Sequence, residues 1–173
     1  MNRRNTLALG TMGLLALGSA LPTRKAVAQQ KTLKSQLMGT WTFVSALDTN
    51  KDGTKSNRWD ANPKGLVIFD ANGHYCFIIS RSDIPKFAVN NVMQGTAAEN
   101  TAVVKGIIAH FGTWSIDETT KTLTTNIVAG SFPNLNGDSQ KRIILSLTTD
   151  ELKYTNPVST NGTSTEVVWK RAK

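Results

Sequence analysis

Gly39-Thr40-Trp41-Thr42-Phe43-Val44-Ser45-Ala46-Leu47 alternates bulky apolar residues with small ones. Trp41, Phe43, Ser45 and Leu47 fall on one face of a period of two, and Thr42, Val44 and Ala46 on the other. That period marks a strand with one buried face. Gly39 lets another backbone approach closely where the strand begins.

Downstream, the same logic yields seven more strands. Gly65 to Asp70 and His74 to Ser80 are β-rich runs joined through Ala71-Asn72-Gly73, a hairpin signal because Asn and Gly tolerate positive φ. Further strands are expected over Ile107–Ile116, Thr122–Gly130, Ser139–Thr148, Glu151–Asn156 and Thr163–Arg171. Thr96-Ala97-Ala98-Glu99 is a capping box, which predicts a short helix through about Lys105 between the third and fourth strands. The stretch 48–64 reads as a solvated polar loop. Its Asp48/Asn50/Asp52 spacing lacks the Glu a calcium loop needs at its twelfth position. Trp59 inside that loop implies packing against something. Cys76, the single cysteine, excludes an intrachain disulfide and reads as a buried or half-buried thiol.

Upstream, Leu33 and Leu37 stand four apart, enough for one or two helical turns that would plug the body from below. The first 28 residues read as an export signal. Arg3 and Arg4 form a basic head, Thr6 to Leu21 a mildly apolar run, and Ala26-Val27-Ala28 a small-x-small cleavage site. The paired arginines and Arg24-Lys25 resemble a twin-arginine signal, although Asn5-Thr6-Leu7 stands where that motif carries phenylalanine. The expected compartment is periplasmic or secreted, with a mature domain over 29–173 and no stable membrane span. Of the 20 basic residues, four lie in that segment. Without it, 16 face 12 acidic residues, a charge of +4 with no Lys/Arg-rich run, which argues against nucleic acid. Apolar residues make up 39%, enough to fill one core.

Loop lengths set the architecture. The first, third, fifth and seventh connections (48–64, 81–106, 131–138, 157–162) are long, and the second, fourth and sixth (71–73, 117–121, 149–150) are tight. In an all-β, eight-stranded antiparallel up-and-down barrel, alternate connections share an end. The long loops would form a mouth and the short turns a closed end. Trp41 and Arg171 should then meet at the closed end, where an Arg over an indole gains cation–π energy.

Glycine, any residue, tryptophan at the head of the first strand resembles the opening signature of the lipocalin superfamily. Several stretches in order resemble the bacterial lipocalin-like domain family more closely: Leu37-Met38-Gly39-Thr40-Trp41, Asn62-Pro63-Lys64-Gly65, Phe111-Gly112-Thr113-Trp114, Gly137 to Arg142, Glu151 to Pro157, and Val168-Trp169-Lys170-Arg171. The chain departs from that pattern where the family carries Tyr (Trp114), His (Thr125-Asn126) and Trp (Leu135). The resemblance implies a small, often exported barrel that hosts either binding or isomerase-type chemistry.

No nucleophile elbow, Walker loop, dinucleotide fingerprint or zinc motif occurs, so no catalytic residue, cofactor or metal is expected. His74 and His110 read as strand-edge or surface residues. Arg142 and Asn126 are the polar groups an enzyme would have to use. The favoured reading is a binder of a small apolar or amphipathic molecule, with Trp41, Phe43, Ser45, Phe77, Trp114 and Arg142 facing the ligand. A lipocalin-type isomerase or cyclase, and a solid barrel whose mouth loops contact another protein, are the alternatives.

Overall fold

The computed structural model describes residues 31–173; the expected export segment and its cleavage site lie outside the described residues. Nine strands are present there: β1 (Gly39–Thr49), β2 (Lys55–Ser56), β3 (Lys64–Phe69), β4 (His74–Ser80), β5 (Ile107–Asp117), β6 (Thr122–Gly130), β7 (Ser139–Leu147), β8 (Glu151–Asn156) and β9 (Ser164–Arg171). Eight of them form a closed antiparallel ring in chain order, sealed by β9 pairing back onto β1. The ninth, β2, is two residues long and pairs only with Asp48 and Thr49 at the mouth end of β1. It lies inside the stretch expected to be loop, which is therefore partly ordered against the barrel. The long and short connections fall at opposite ends, as their lengths imply. No described helix is long and apolar enough to cross a membrane.

The closed end is built by α1 (Leu33–Leu37) together with Trp41 and Arg171. Thr32 caps α1 by accepting from the Ser35 N–H at 3.1 Å, and the Leu33 and Lys34 amides donate to Glu118 in the β5–β6 turn. Leu37 is fully buried, and its carbonyl accepts from Trp41 Nε1 at 2.8 Å. Trp41 and Arg171 are register partners, with the guanidinium 3.7 Å from the indole centroid. Arg171 also donates to the carbonyls of Gln36 (2.5 Å), Met38 (2.7 Å) and Thr149 (3.2 Å). The plug and the clasp expected there are both present.

Trp41, Phe69, Trp114, Leu123, Leu152 and Trp169 fill the interior toward the closed end. Phe69 and Trp114 lie 5.2 Å apart between centroids, and so do Phe43 and Trp169. At the other end α2 (Ala97–Gly106) carries the expected capping box, and Glu99 reaches further to accept from the Ala88 amide at 2.7 Å.

Six side chains differ from the sequence expectation. A bulge inserts Val44 between Phe43, opposite Trp169, and Ser45, opposite Val168. An extra residue reverses the alternation beyond it. Ser45 and Leu47 therefore face outward, while Ala46 and Asp48 turn in. Cys76 is exposed, because Tyr75, Phe77 and Ile79 take the inner face of β4. His110 is buried inside β5, with Phe111 outside at 50% exposure.

Candidate functional site

The inward rows of β1, β4, β5, β7, β8 and β9 converge on a cavity beneath the mouth. Its volume is about 50 Å³. A single water needs roughly 10–15 Å³ of such space, so the cavity holds a few small groups and no drug-sized molecule. Phe77, Ile79 and Val167 make its apolar wall, and Arg142, His110 and Gln140 its polar one.

Two residues from mouth loops cover it. Trp59 is buried, with its ring edge-on to Phe43 at 6.0 Å between centroids. Arg58 lies over the outside of that indole at 4.8 Å and reaches Thr160 in the β8–β9 loop. Leu135 closes the other side from the short 3-10 turn Pro133–Leu135. Outside these covers lie two open clefts of about 490 Å³ and 300 Å³, which share Leu135 and Trp59 respectively with the inner cavity.

The polar wall is a connected group. Arg142 donates to Thr125 Oγ1 and, at 2.8 Å, to Gln140 Oε1, and its guanidinium lies 5.8 Å from the Tyr154 ring. His110 stacks on Phe77, with centroids 4.5 Å apart, and its Nδ1 shares a hydrogen bond of 2.9 Å with the Tyr75 hydroxyl. Burial, and then the nearby Arg142 charge, push His110 down to about 3, so the imidazole is neutral at physiological pH. Burial raises Tyr75, which keeps its proton. Asp48, expected in a solvated loop, is buried in β1 and accepts from Thr165 and Asn161.

Of the six residues expected at a ligand site, Phe77 and Arg142 line the cavity. Phe43 supports Trp59 from behind. Trp41 and Trp114 point inward but lie at the closed end, where the Trp114 indole N–H donates to the Asp70 carbonyl at 3.1 Å. Ser45 faces outward beyond the bulge. Asn126 is on the outer face and bonds Thr113 and Ser139. His110 escaped the sequence reading, although it stands four residues before the inward Trp114 on one strand, and that parity was a usable signal. Leu135 carried a signal too, at the position where the resembled family has Trp.

No curated protein matches the sequence. Solved structures similar to it include a redesigned β-barrel (16% identity, 83% of this chain and 98% of that one, TM-score 0.43). A de novo designed fluorescence-activating β-barrel shares 11% identity over 82% of this chain and 99% of its own, at 0.42. Bovine odorant binding protein, in complex with a selenium-containing odorant, shares 15% over 83% and 74%, also at 0.42. The sequence model of the lipocalin-like domain matches residues 38–172, from the foot of β1 to the residue after β9, and the chain belongs to that family.

Proposed function

We propose that this protein holds a small apolar or amphipathic molecule in the mouth half of its barrel, after export to the periplasm or the medium. The observation that carries the reading is the covered cavity itself. It has an apolar wall, a polar wall and two side chains, Trp59 and Leu135, shared between it and larger clefts. An apolar pocket with a few converging polar groups is the usual form of a small-molecule site. At about 50 Å³ the closed cavity admits only the head of a ligand, so a longer molecule must displace a cover or extend into a cleft.

Covering about 150 Å² of apolar ligand surface at roughly 25 cal/mol/Å² offers on the order of 4 kcal/mol before association costs. That is weak without a polar contact. The isomerase or cyclase reading would turn on His110 as base. An imidazole held near 3 is poorly matched to proton abstraction at neutral pH, which favours binding.

The test is a titration of the mature protein with fatty acids, terpenoids and aromatic dyes, read by tryptophan fluorescence in wild type and Trp59→Phe. A saturable change that shrinks in the variant is expected. No saturable signal from any probe would leave a solid barrel. Export is tested separately by intact mass, expecting Gln29 as the first residue of envelope or secreted material; full-length cytoplasmic protein would sink it.

A further inference from the structure

We propose that Arg142 is the anchor for a ligand carboxylate, borne on a short apolar chain that enters head first. This rests on the reading of the mouth cavity as a small-molecule site, and its failure is separable from the failure of that reading.

Arg142 is 5% exposed and lines the cavity. A guanidinium withdrawn from water is strongly unfavourable unless an opposite charge faces it. The ion pairs among the described residues are His74–Asp70, Arg81–Asp83 and Lys153–Glu166, and none involves Arg142. Its hydrogen bonds there go to the neutral side chains of Thr125 and Gln140. Two of five N–H donors are thereby used, and three have no protein acceptor among the described residues.

The cavity wall includes two arginines, Arg58 and Arg142, and no Asp or Glu. The nearest buried acid, Asp48, is committed to Thr165 and Asn161 on the β1–β9 side. His110 is neutral and supplies no competing charge. The site is thus a fixed cation on the polar wall of a recess whose facing wall is apolar and which carries no acid.

What fits is an oxyanion, and the fork of a guanidinium matches a planar carboxylate through two parallel N–H donors. The cavity volume favours that compact group over a tetrahedral sulfate or phosphate ester. With the head at Arg142, Phe77, Ile79 and Val167 flank the first methylenes. The tail then points past Leu135 toward the cleft bordered by Pro157 and Val158.

The experiment compares octanoate, octyl sulfate and 1-octanol by calorimetry on the mature wild-type protein, on Arg142→Gln and on Arg58→Gln. Octanoate is expected to bind at least tenfold more tightly than 1-octanol. Arg142→Gln should reduce octanoate to the level of 1-octanol, and Arg58→Gln should keep octanoate ahead of 1-octanol. Equal wild-type affinity for octanoate and 1-octanol overturns the anchor and leaves the cavity reading standing. Binding of neither overturns both. Octyl sulfate binding as tightly as octanoate overturns the carboxylate assignment. Loss of the preference in Arg58→Gln instead moves the anchor to the mouth and overturns Arg142. Should Arg142→Gln prove unfolded by circular dichroism, the wild-type comparison and Arg58→Gln still decide.

Discussion

Arg171 stacks on Trp41 and donates to three backbone carbonyls, so it stabilises α1, the foot of β1 and the β7–β8 turn together. Arg171→Ala removes the stacking and leaves those carbonyls to water. A loss of about 2 kcal/mol is expected, read as a lowered urea midpoint. Lysine in its place should recover little, since one ammonium cannot reach all three acceptors while lying flat on an indole. A midpoint unchanged in Arg171→Ala would mean that the clasp is ornamental. His110 gives a second prediction. In the unfolded chain an imidazole takes up its proton as pH falls through about 6.5, whereas in the barrel it resists until about 3. The neutral form's contribution is full above 6.5 and is lost as pH falls toward 3, at about 1.4 kcal/mol per pH unit. Several carboxylates held low in the fold, Asp60 and Asp117 among them, add losses in the same direction only at lower pH. Between pH 6.5 and 5, urea midpoints should therefore fall more steeply in wild type than in His110→Gln. Parallel curves would show that His110 is not held neutral.

Strands are where sequence reading worked best and also where it slipped. The ends, partners and order of the eight barrel strands follow from turn chemistry and loop length, both local properties. Which face a residue takes follows from parity, and parity survives only until a bulge. In β1 neither Val44 nor Ser45 announces itself as the extra residue, because each is acceptable on the outside. In β5 the bias is chemical: Phe111 looks more inward than His110, yet Gly112 and Trp114 fix the parity the other way. Gly112 is needed there because β6 presses on it, with Val128 as the extra residue opposite. A Cβ at 112 would lie 1.9 Å from the Asn126 carbonyl oxygen, and a backbone atom cannot swing aside. Gly112→Ala is expected to cost about 3 kcal/mol or more, seen as a depressed melting temperature or loss of soluble protein. A variant as stable as wild type would mean that the β5–β6 seam is slack. The site was legible in part for the same reasons. Phe77 and Arg142 follow from parity, and Trp59 from its cost in a polar loop. The connection lengths already set Trp41 at the closed end, whereas the depth of Trp114, packed on Phe69 there, emerges only from the fold.

At the scale of the whole molecule, the barrel divides into a packed half and a mouth half. The packed half holds Trp41, Trp114, Trp169 and the termini of the ring, and the mouth half holds every long connection, Trp59 and the buried cation. On the proposed reading, stability and recognition separate along one axis. Substitutions below Phe77 should change melting behaviour, and those above it should change ligand preference. The seam between β1 and β9 has a further consequence, in time rather than space. Arg171 meets the Met38 carbonyl across 133 residues of chain, so that contact cannot form until the intervening strands are nearly assembled. Ring closure of this kind has a high contact order, which places folding in the millisecond-to-second range. The clasp then belongs to the late side of the barrier. Arg171→Ala should accelerate unfolding in a stopped-flow chevron and leave the refolding limb nearly where it was. A slowed refolding limb would instead put the two ends of the chain together at the start, with the barrel nucleating at its own seam.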